Sequence, residues 1–479
     1  MVIYYSNKSR GARTSFSPNN TRTRKIRDKY LLTTDQGSWI ALEKKEYDDF
    51  INGRLDSNLF ENLEKRGIII TQNNLKLITE DYRKRLNYLF RGTSLHILTT
   101  TKRCNLKCVY CHSAVASKIA NEKEYDMDKK TAKKTLEFIF QTPEKGITIE
   151  FQGGETLLRE DLFKYVVKEA KKINKKHNKN IRFALVSNLT LMTDELLNWI
   201  KKEGVSICTS LDGPKELHDK NRWFEGGKAS YDEVTSQIKR LKEKGICNIG
   251  MLMVTTKYSL PYWKEIVDEY VKWGQQSLQL KYINKLGFAD LAWKQIGYTM
   301  DEFLDFWEKS VDYMIELNKK GIKIQERFVV LILKKILTKF DPNFLDFRGP
   351  TCGAVAGQLA YDHKGDIFSC DEGRMNKEMF GLGTVKDSNY EKVLSSEKAQ
   401  GIISASIIDN NIMCDKCAYK PWCGLCPVIS YAEQGNILPK ISNFSLHKLH
   451  EFQFDYVFEK LLFDKEARKV LFSWASNWK

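Results

Sequence analysis

Three cysteines near position 104 have the spacing of a metal-binding loop. Cys104, Cys108 and Cys111 follow one another as C-x3-C-x2-C, directly after an apolar run at 95–101 that predicts a strand. Three thiolates in one short loop can bind three irons of a [4Fe–4S] cube and leave the fourth iron without a protein ligand. A tetrahedral zinc site is the alternative, with His112 as the only local candidate for the fourth ligand.

A second group of cysteines lies towards the C-terminus, within a segment that is poor in regular apolar patterns. A zinc ribbon would explain the two C-x2-C pairs of this group but not its first two members. The segment, at about 345–440, buries little apolar surface and therefore needs metal clusters to hold it together. The group consists of Cys352, Cys370, Cys414, Cys417, Cys423 and Cys426.

Between 94 and 320, short apolar strands alternate with amphipathic helices, which is typical of parallel βαβ units. Six strands predict a partial (β/α)6 barrel, and we expect helical stripes such as Ala132, Leu136 and Ile139 to be core rather than binding sites. The predicted strands are 95–101, 147–151, 182–187, 205–210, 249–255 and 278–283. Polar motifs follow the first four strands, at the end where such barrels place their active sites.

Residues 30 to 90 predict a small separate module. A hairpin that turns at Gly37 precedes two helices, a short strand at 68–70 and a last helix that Thr79 could cap and that runs to Phe90, an order that resembles a winged helix. The basic run at 8–29 predicts a mobile arm. The net charge of +16 fits a solvated surface or an acidic partner.

Cysteine usage and hydropathy indicate the cell compartment. Eleven cysteines without a signal-peptide pattern or an apolar run of about 18 residues favour a reduced, cytoplasmic metalloprotein without membrane segments. The last element expected is a helix at 449–462.

The cysteine loop, together with Gly153-Gly154-Glu155 after the second strand, resembles the radical S-adenosylmethionine (SAM) superfamily. The resemblance implies that SAM chelates the open iron and is reductively cleaved to a 5′-deoxyadenosyl radical. Instead of contacting the cofactor, Arg222 could form a surface salt bridge, and Asp212 could only order its own turn. The implied SAM-binding residues are Tyr110 against the adenine, Gln152, Gly153, Gly154 and Glu155 near the methionyl ammonium, and Asn188, Ser210 and Arg222 at the ribose and carboxylate.

The later cysteines resemble the SPASM domain, which holds auxiliary [4Fe–4S] clusters. The resemblance implies one cluster on Cys352, Cys370 and Cys426 and a second on Cys414, Cys417 and Cys423, each one ligand short. His447 lies about where the family has its last cysteine, so it is our candidate fourth ligand of the second cluster, unless it is only an exposed histidine at a helix start. Asp371 matches the general base of sulfatase maturases, and a nearby anionic cluster should raise its pKa.

Six segments extend the resemblance, over nearly the whole chain, to the radical SAM maturase of His-Xaa-Ser peptide systems: 28–33, 90–97, 151–155, 210–214, 357–361 and 370–375. It implies a basic arm and winged-helix-like leader-peptide recognition module at 1–90, a radical SAM partial barrel at 91–340, a SPASM domain at 341–446 and a C-terminal helix at 447–479. The implied function is a crosslink or related modification in a ribosomally synthesised precursor peptide, whose leader binds as an added strand.

The same resemblance implies an external electron donor such as flavodoxin or ferredoxin, and neither a membrane nor a nucleic acid as partner. Three other functions stay open. A formylglycine-forming sulfatase maturase fits Cys370-Asp371 but not the N-terminal module. An RNA-modifying radical enzyme fits the charge and predicts RNA binding by residues 1–29. A zinc-ribbon binding protein would have no catalytic activity.

Overall fold

Six parallel strands form the centre of this computed structural model, which describes residues 5–6, 15–87, 91–338 and 351–477. Each strand pairs in parallel with the next along the chain, so the expected partial barrel is present. The strands are β1 Leu95–Thr101, β2 Gly146–Gly153, β3 Asn180–Val186, β4 Ser206–Ser210, β5 Ile249–Val254 and β6 Leu280–Lys281. The main helices around them span Lys129–Ile139, Glu160–His177, Asp194–Glu203, Tyr231–Glu243, Trp263–Lys272, Met300–Lys319 and Arg327–Thr338.

Alternation along the strands separates the core from the barrel interior. In β2, Ile149 and Phe151 are fully buried, and the Phe151 ring packs edge-on against Phe163 of the following helix at 4.7 Å. Because successive side chains of a strand point to opposite faces, Glu150 and Gln152 face the interior. The apolar pattern that stabilises the barrel therefore also places polar groups inside it.

The last predicted strand, at 278–283, is divided in two. Ser277–Leu278 pairs with Gln325–Glu326, whereas Leu280–Lys281 pairs with β5. The helix Met300–Lys319 returns the chain to this edge of the sheet. Gln325–Glu326, which follows the helix, therefore pairs with the first part of the predicted strand. The other five strands agree with their predictions to within two residues.

The C-terminal part continues the same sheet. β7 Gln358–Tyr361 adds in parallel to the free edge of β1, and β8 Asp366–Phe368 and β9 Gly381–Thr384 follow in antiparallel order. The predicted domain boundary at 340/341 lies outside the described residues. Helices Glu397–Ser406, Pro427–Gln434, Ser445–Phe463 and Lys465–Asn477 complete the chain, so the predicted terminal helix is followed by one more.

The N-terminal module contains a three-stranded antiparallel sheet, Thr21–Ile26, Lys29–Thr34 and Trp39–Leu42, with Gly37 at a φ of 83° in the second turn. A strand at Ser15–Pro18 pairs with Ile69–Ile70, and the apolar core includes fully buried Leu32 and Leu63. The module's helices are Lys44–Ile51, Ser57–Lys65 and Leu75–Arg85. Thr79 lies inside the last helix instead of capping it, since its hydroxyl donates to the Leu75 carbonyl. Phe90, the predicted helix end, lies outside the described residues.

The prediction of a mobile basic arm is wrong for its second half. Residues 21–26 form the edge strand of the module, and Arg24 pairs with Glu451 and Asp455 of helix Ser445–Phe463. Arg27 pairs with Glu459 one turn further along the same helix. The basic strand is ordered because an acidic helix face, distant in sequence, lies beside it. No helix in the described ranges is long and apolar enough to cross a membrane.

Candidate active site

The three cysteines after β1 form one group at the carboxyl end of the barrel. Burial raises the pKa of Cys104 well above its usual value, and the charges of Glu155, Cys108 and Cys111 raise it further. Mutual effects of this kind require the thiols to lie close together. The segment Leu106–Cys108 pairs with Arg222–Phe224, which fixes the loop across the barrel mouth.

A buried ion pair anchors the start of this loop. Arg103 donates from Nε and Nη2 to the two carboxylate oxygens of Asp126, at 2.9 and 2.6 Å, and Thr101 donates to the same carboxylate at 2.6 Å. Arg159 adds a further contact at 3.2 Å. Because a bidentate guanidinium–carboxylate pair has a fixed geometry, it holds the backbone next to Cys104 in place.

Gly153 and Gly154 pack directly against the cysteine loop. Gly153 has a φ of 130°, and a Cβ on Gly154 would lie 1.9 Å from the carbonyl oxygen of Arg103. The amides of Gly154 and Glu155 donate to the carbonyls of Thr101 and Arg103, each at 2.8 Å. Only glycine allows this approach of two backbones.

The side chain of Glu155 organises the next strand end. Its carboxylate accepts hydrogen bonds from the Ser187 hydroxyl and the Asn188 amide, each at 2.8 Å, and from the Leu157 amide at 3.0 Å. Asn188 in turn donates to the Asn105 side chain at 2.9 Å. The motifs after β1, β2 and β3 therefore meet, as predicted from their positions at strand ends.

Tyr110, Asp212 and Arg222 form a buried polar triad beside the cysteines. The Tyr110 hydroxyl lies 2.8 and 2.7 Å from the two carboxylate oxygens of Asp212, and Arg222 Nη1 donates to it at 2.7 Å. The positive charge of Arg222 also counteracts the burial that raises the pKa of Cys108 to about 12. Arg222 is therefore not in a surface salt bridge, and Asp212 does more than order its own turn.

The triad can donate one more hydrogen bond, from Arg222. Arg222 is almost fully buried, and its Nε has no hydrogen-bond partner among the described residues. A buried donor without a partner costs about 1–3 kcal/mol. A carboxylate-bearing cofactor bound next to Cys108 would satisfy it, so the residues fit the predicted SAM site. In the same interior, alternation along β4 places Ser210 on the face that carries Cys208.

The structure divides the six later cysteines into two further groups. The charges of Cys352 and Cys370 raise the pKa of buried Cys426, so these three lie together. The other three interact in the same way, because the charges of Cys417 and Cys414 raise the pKa of Cys423. In a four-cysteine zinc ribbon Cys426 would instead join the second group.

Asp371 does not have the predicted electrostatics. Burial acts to raise its pKa, but the positive charges of Arg374 and His112, with their hydrogen bonds, hold it well below its usual value. Arg374 Nε donates to one carboxylate oxygen at 3.0 Å, and His112 Nε2 lies 3.1 Å from the other. The expected rise in pKa is wrong in direction because the Arg374 guanidinium and the His112 ring both contact the carboxylate. His112 points to this carboxylate, which leaves it unsuited to be a zinc ligand with the cysteines.

Sequence analysis missed two residues near the cysteine groups. Glu150 lies in the barrel interior, where burial raises its pKa and the charge of Asp371 adds to the effect. Strand alternation alone would have placed it there. His450 lies one turn after His447 on helix Ser445–Phe463, and its Nδ1 is 3.3 Å from Cys423 Sγ. The spacing of three residues between the histidines is the signal that could have identified it.

Comparison with known proteins covers most of the chain. The family model of the radical SAM superfamily matches residues 98–270. An uncharacterized protein of Methanocaldococcus jannaschii, MJ0907, is 32% identical over 308 residues, which is 64% of this chain and 93% of that protein. The cysteine-type anaerobic sulfatase-maturating enzyme of Clostridium novyi is 23% identical and covers 70% of this chain and 87% of its own length. The radical SAM cyclopropyl synthase TigE of Paramaledivibacter caminithermalis is 24% identical, and the match covers 85% of this chain and 82% of that protein.

Two solved structures have a similar fold. Native anSMEcpe with bound AdoMet has a TM-score of 0.66 and 19% identity, and the match covers 78% of this chain and all of that one. Streptococcus suis SuiB bound to precursor peptide SuiA has a TM-score of 0.53 and 14% identity, and the match covers 91% of this chain and 98% of that one.

Proposed function

Since this chain belongs to the radical SAM superfamily, we propose that it installs a crosslink or related modification in a ribosomally synthesised precursor peptide, using one catalytic and two auxiliary [4Fe–4S] clusters. The observation that carries the proposal is the sorting of nine cysteines into three groups of three, the first at the carboxyl end of the barrel. Membership of the superfamily implies a [4Fe–4S] cluster and S-adenosylmethionine.

The bound cofactors would supply an electron and a 5′-deoxyadenosyl radical that abstracts hydrogen from the substrate. Cys104, Cys108 and Cys111 would hold the catalytic cluster. Arg222 would pair with the SAM carboxylate through its unsatisfied Nε, while Tyr110 and Asp212 hold its guanidinium in place. The backbone at Gly153 and Gly154, with Gln152, Glu155, Asn188 and Ser210, would surround the rest of the molecule.

We assign the substrate to the barrel interior beside the first cysteine group. Glu150 faces this space from β2, and Asp371 borders it from the C-terminal part, beside Cys370. A radical formed at the first group therefore arises close to the proposed first auxiliary cluster, which would take up the electron released when the new bond closes. A thioether, a carbon–carbon or carbon–nitrogen crosslink and an epimerised residue all begin with the same hydrogen abstraction.

The share of the chain that each relative covers favours a peptide with a leader. TigE and SuiB match the chain over 85% and 91%, whereas anSMEcpe is matched in full and still leaves about a fifth of this chain uncovered. The module that we predicted at 1–90 supplies a sheet whose Thr21–Ile26 edge contacts the acidic C-terminal helix. The opposite edge, Trp39–Leu42, has no neighbouring strand among the described residues, so we assign the leader to that edge.

The formylglycine-forming sulfatase maturase is the second candidate. The relative from Clostridium novyi and the pair Cys370-Asp371 favour it. Against it stands the ion pair with Arg374, because a carboxylate held in its charged form by a buried guanidinium is a weak base at neutral pH. An RNA-modifying enzyme is less favoured still, since Arg24 and Arg27 pair with carboxylates of the same chain.

Two parts of the proposal rest on chemistry alone. The catalytic cluster needs a one-electron donor, for which a flavodoxin or ferredoxin is suited. None of the eleven cysteines forms a disulfide, which agrees with a reducing cytoplasmic compartment.

To test the proposal, the protein would be purified without oxygen, reconstituted, and assayed for iron, sulfide and, after addition of dithionite and SAM, 5′-deoxyadenosine. We expect about twelve irons per chain. Cys104→Ala should abolish 5′-deoxyadenosine formation, while Cys247→Ala, at an exposed cysteine outside the three groups, should leave it unchanged. About four irons with activity would overturn the auxiliary clusters, and zinc without iron would overturn the whole assignment.

The substrate class needs a separate measurement. Binding of synthetic leader peptides from precursor genes neighbouring this one would be followed by fluorescence anisotropy. Ala41→Pro places a proline in the free edge strand and should abolish leader binding without loss of 5′-deoxyadenosine. Equal binding by this variant would rule out the added-strand mode.

A further inference from the structure

His450 lies beside the second auxiliary group of cysteines, within hydrogen-bonding distance of Cys423. This inference rests on the proposed second auxiliary cluster. Cys414, Cys417 and Cys423 supply three thiols, and the sequence contains no cysteine after Cys426. A [4Fe–4S] cube has four irons, so one iron must take a ligand of another kind or stay open.

The cavity at these cysteines limits the choice of ligand. Two imidazoles line it together with the three thiols, and the rest of its wall is largely apolar. Imidazole nitrogen is an established iron–sulfur ligand, in contrast to leucine, isoleucine or phenylalanine side chains. The wall consists of Ile408, Met413, Cys414, Cys417, Cys423, Gly424, Leu425, Ile441, Phe444, His447 and His450.

Geometry separates the two histidines. His450 is 2% exposed, and its Nδ1 lies 3.3 Å from Cys423 Sγ. His447 is only half-buried and lies in the first turn of the helix, and no contact between it and a cysteine is found among the described residues.

The helix that carries His450 is held tightly against the cysteine loop. The ring of Phe454, one turn beyond His450, stacks on Tyr419 at 4.9 Å. Tyr419 also stacks on Phe458 at 6.0 Å, so two successive turns of the helix contact the segment between Cys417 and Cys423. Such packing fixes the imidazole relative to the thiols, as a preformed ligand requires.

We propose that His450, and not the predicted His447, is the fourth ligand of the second auxiliary cluster. A neutral imidazole in place of a thiolate makes the cluster less negative and raises its reduction potential. Lys335, whose charge acts on Cys423 and which lines an adjoining cavity with His450, acts in the same direction. With His450 bound, the cluster would carry one negative charge less than it would with four thiolates.

Pulsed electron paramagnetic resonance of the reduced, reconstituted full-length protein tests the assignment. Protein labelled with ¹⁵N-histidine should show a strong nitrogen coupling to one auxiliary cluster. His450→Ala should lose this coupling and up to a third of the iron. His447→Ala, the matched control on the same helix, should keep both. His450→Cys should keep all the iron, lose the coupling and show a lower potential for this cluster.

The outcomes distinguish this inference from the proposed function. A coupling lost in His447→Ala but kept in His450→Ala would overturn the assignment to His450. Full iron content without any histidine coupling would do so as well, while leaving three clusters in place. Only four or eight irons in the unmodified protein would remove the second auxiliary cluster itself, and with it both claims.

Discussion

Replacing Gly154 with alanine should release the catalytic cluster while leaving the barrel folded. The added Cβ would lie 1.9 Å from the Arg103 carbonyl oxygen, about 1.5 Å closer than the 3.4 Å at which ordinary contact begins. Overpacking of this kind costs about 1–3 kcal/mol. The amides of Gly154 and Glu155 would also lose their hydrogen bonds to the segment before Cys104, each worth about 1 kcal/mol. We therefore expect a loss of about 3–5 kcal/mol, concentrated at the cysteine loop.

Gly146→Ala is the matched control, because it lies at the start of the same strand and its Cβ would meet nothing within 4 Å. Guanidinium denaturation would measure the free energy of unfolding of both variants, and iron analysis their cluster content. Gly154→Ala should lose about four irons and the ability to form 5′-deoxyadenosine. The control should change by less than about 0.5 kcal/mol. If the two variants had equal stability and equal iron, close packing would not be what requires glycine here.

Three further predictions concern polar contacts. Tyr110→Phe leaves a buried carboxylate without its hydroxyl donor, so urea denaturation should show a loss of about 1–3 kcal/mol, and an unchanged midpoint would contradict the triad. Burial raises the pKa of Asp126, but hydrogen bonds from Arg103 and Thr101 hold it below its usual value. This contribution to stability is complete above about pH 4 and is lost as the pH falls through the lowered pKa, so Asp126→Asn should flatten the acid limb of a stability–pH curve. Arg24→Ala removes half-exposed ion pairs and should cost at most about 1 kcal/mol in calorimetry, with a smaller difference at high salt.

Local patterns predicted the elements that depend on local contacts. The run at 95–101 gives β1 with the same bounds, because β-branched and apolar residues there are continuous. The strand at 278–283 was predicted too long, since its second partner, Gln325–Glu326, lies more than forty residues away. The prediction of a mobile basic arm was wrong for the same reason. Its acidic partners lie over 400 residues later in the chain, and a basic residue whose partner is not recognised is predicted to be solvated.

In the candidate site, too, features set by the local sequence were predicted and features that depend on distant residues were not. Cysteine spacing and the order of motifs predict three groups of cysteines, and within each group the charge of one thiol acts on the pKa of another. The burial and the hydrogen-bond partners of single side chains were not predictable. Arg222 was therefore left with two interpretations, a partner of the cofactor or a surface salt bridge, and the pKa of Asp371 was predicted to shift in the wrong direction. Arg374, three residues after Asp371 on a short helical turn, was a readable signal for that ion pair.

The N-terminal module touches the cysteine loop of the second auxiliary group directly. Thr33 donates to the Ala418 carbonyl at 2.7 Å, and Arg22 contacts both the backbone and the carboxylate of Asp415. Two binding events that order the same few residues are thermodynamically linked, and the linkage is reciprocal. If contact with the N-terminal module strengthens cluster binding by a given free energy, the bound cluster stabilises the docked module by the same free energy. Protein that lacks this cluster should therefore engage a precursor poorly, which keeps incompletely matured enzyme from sequestering substrate that it could not convert.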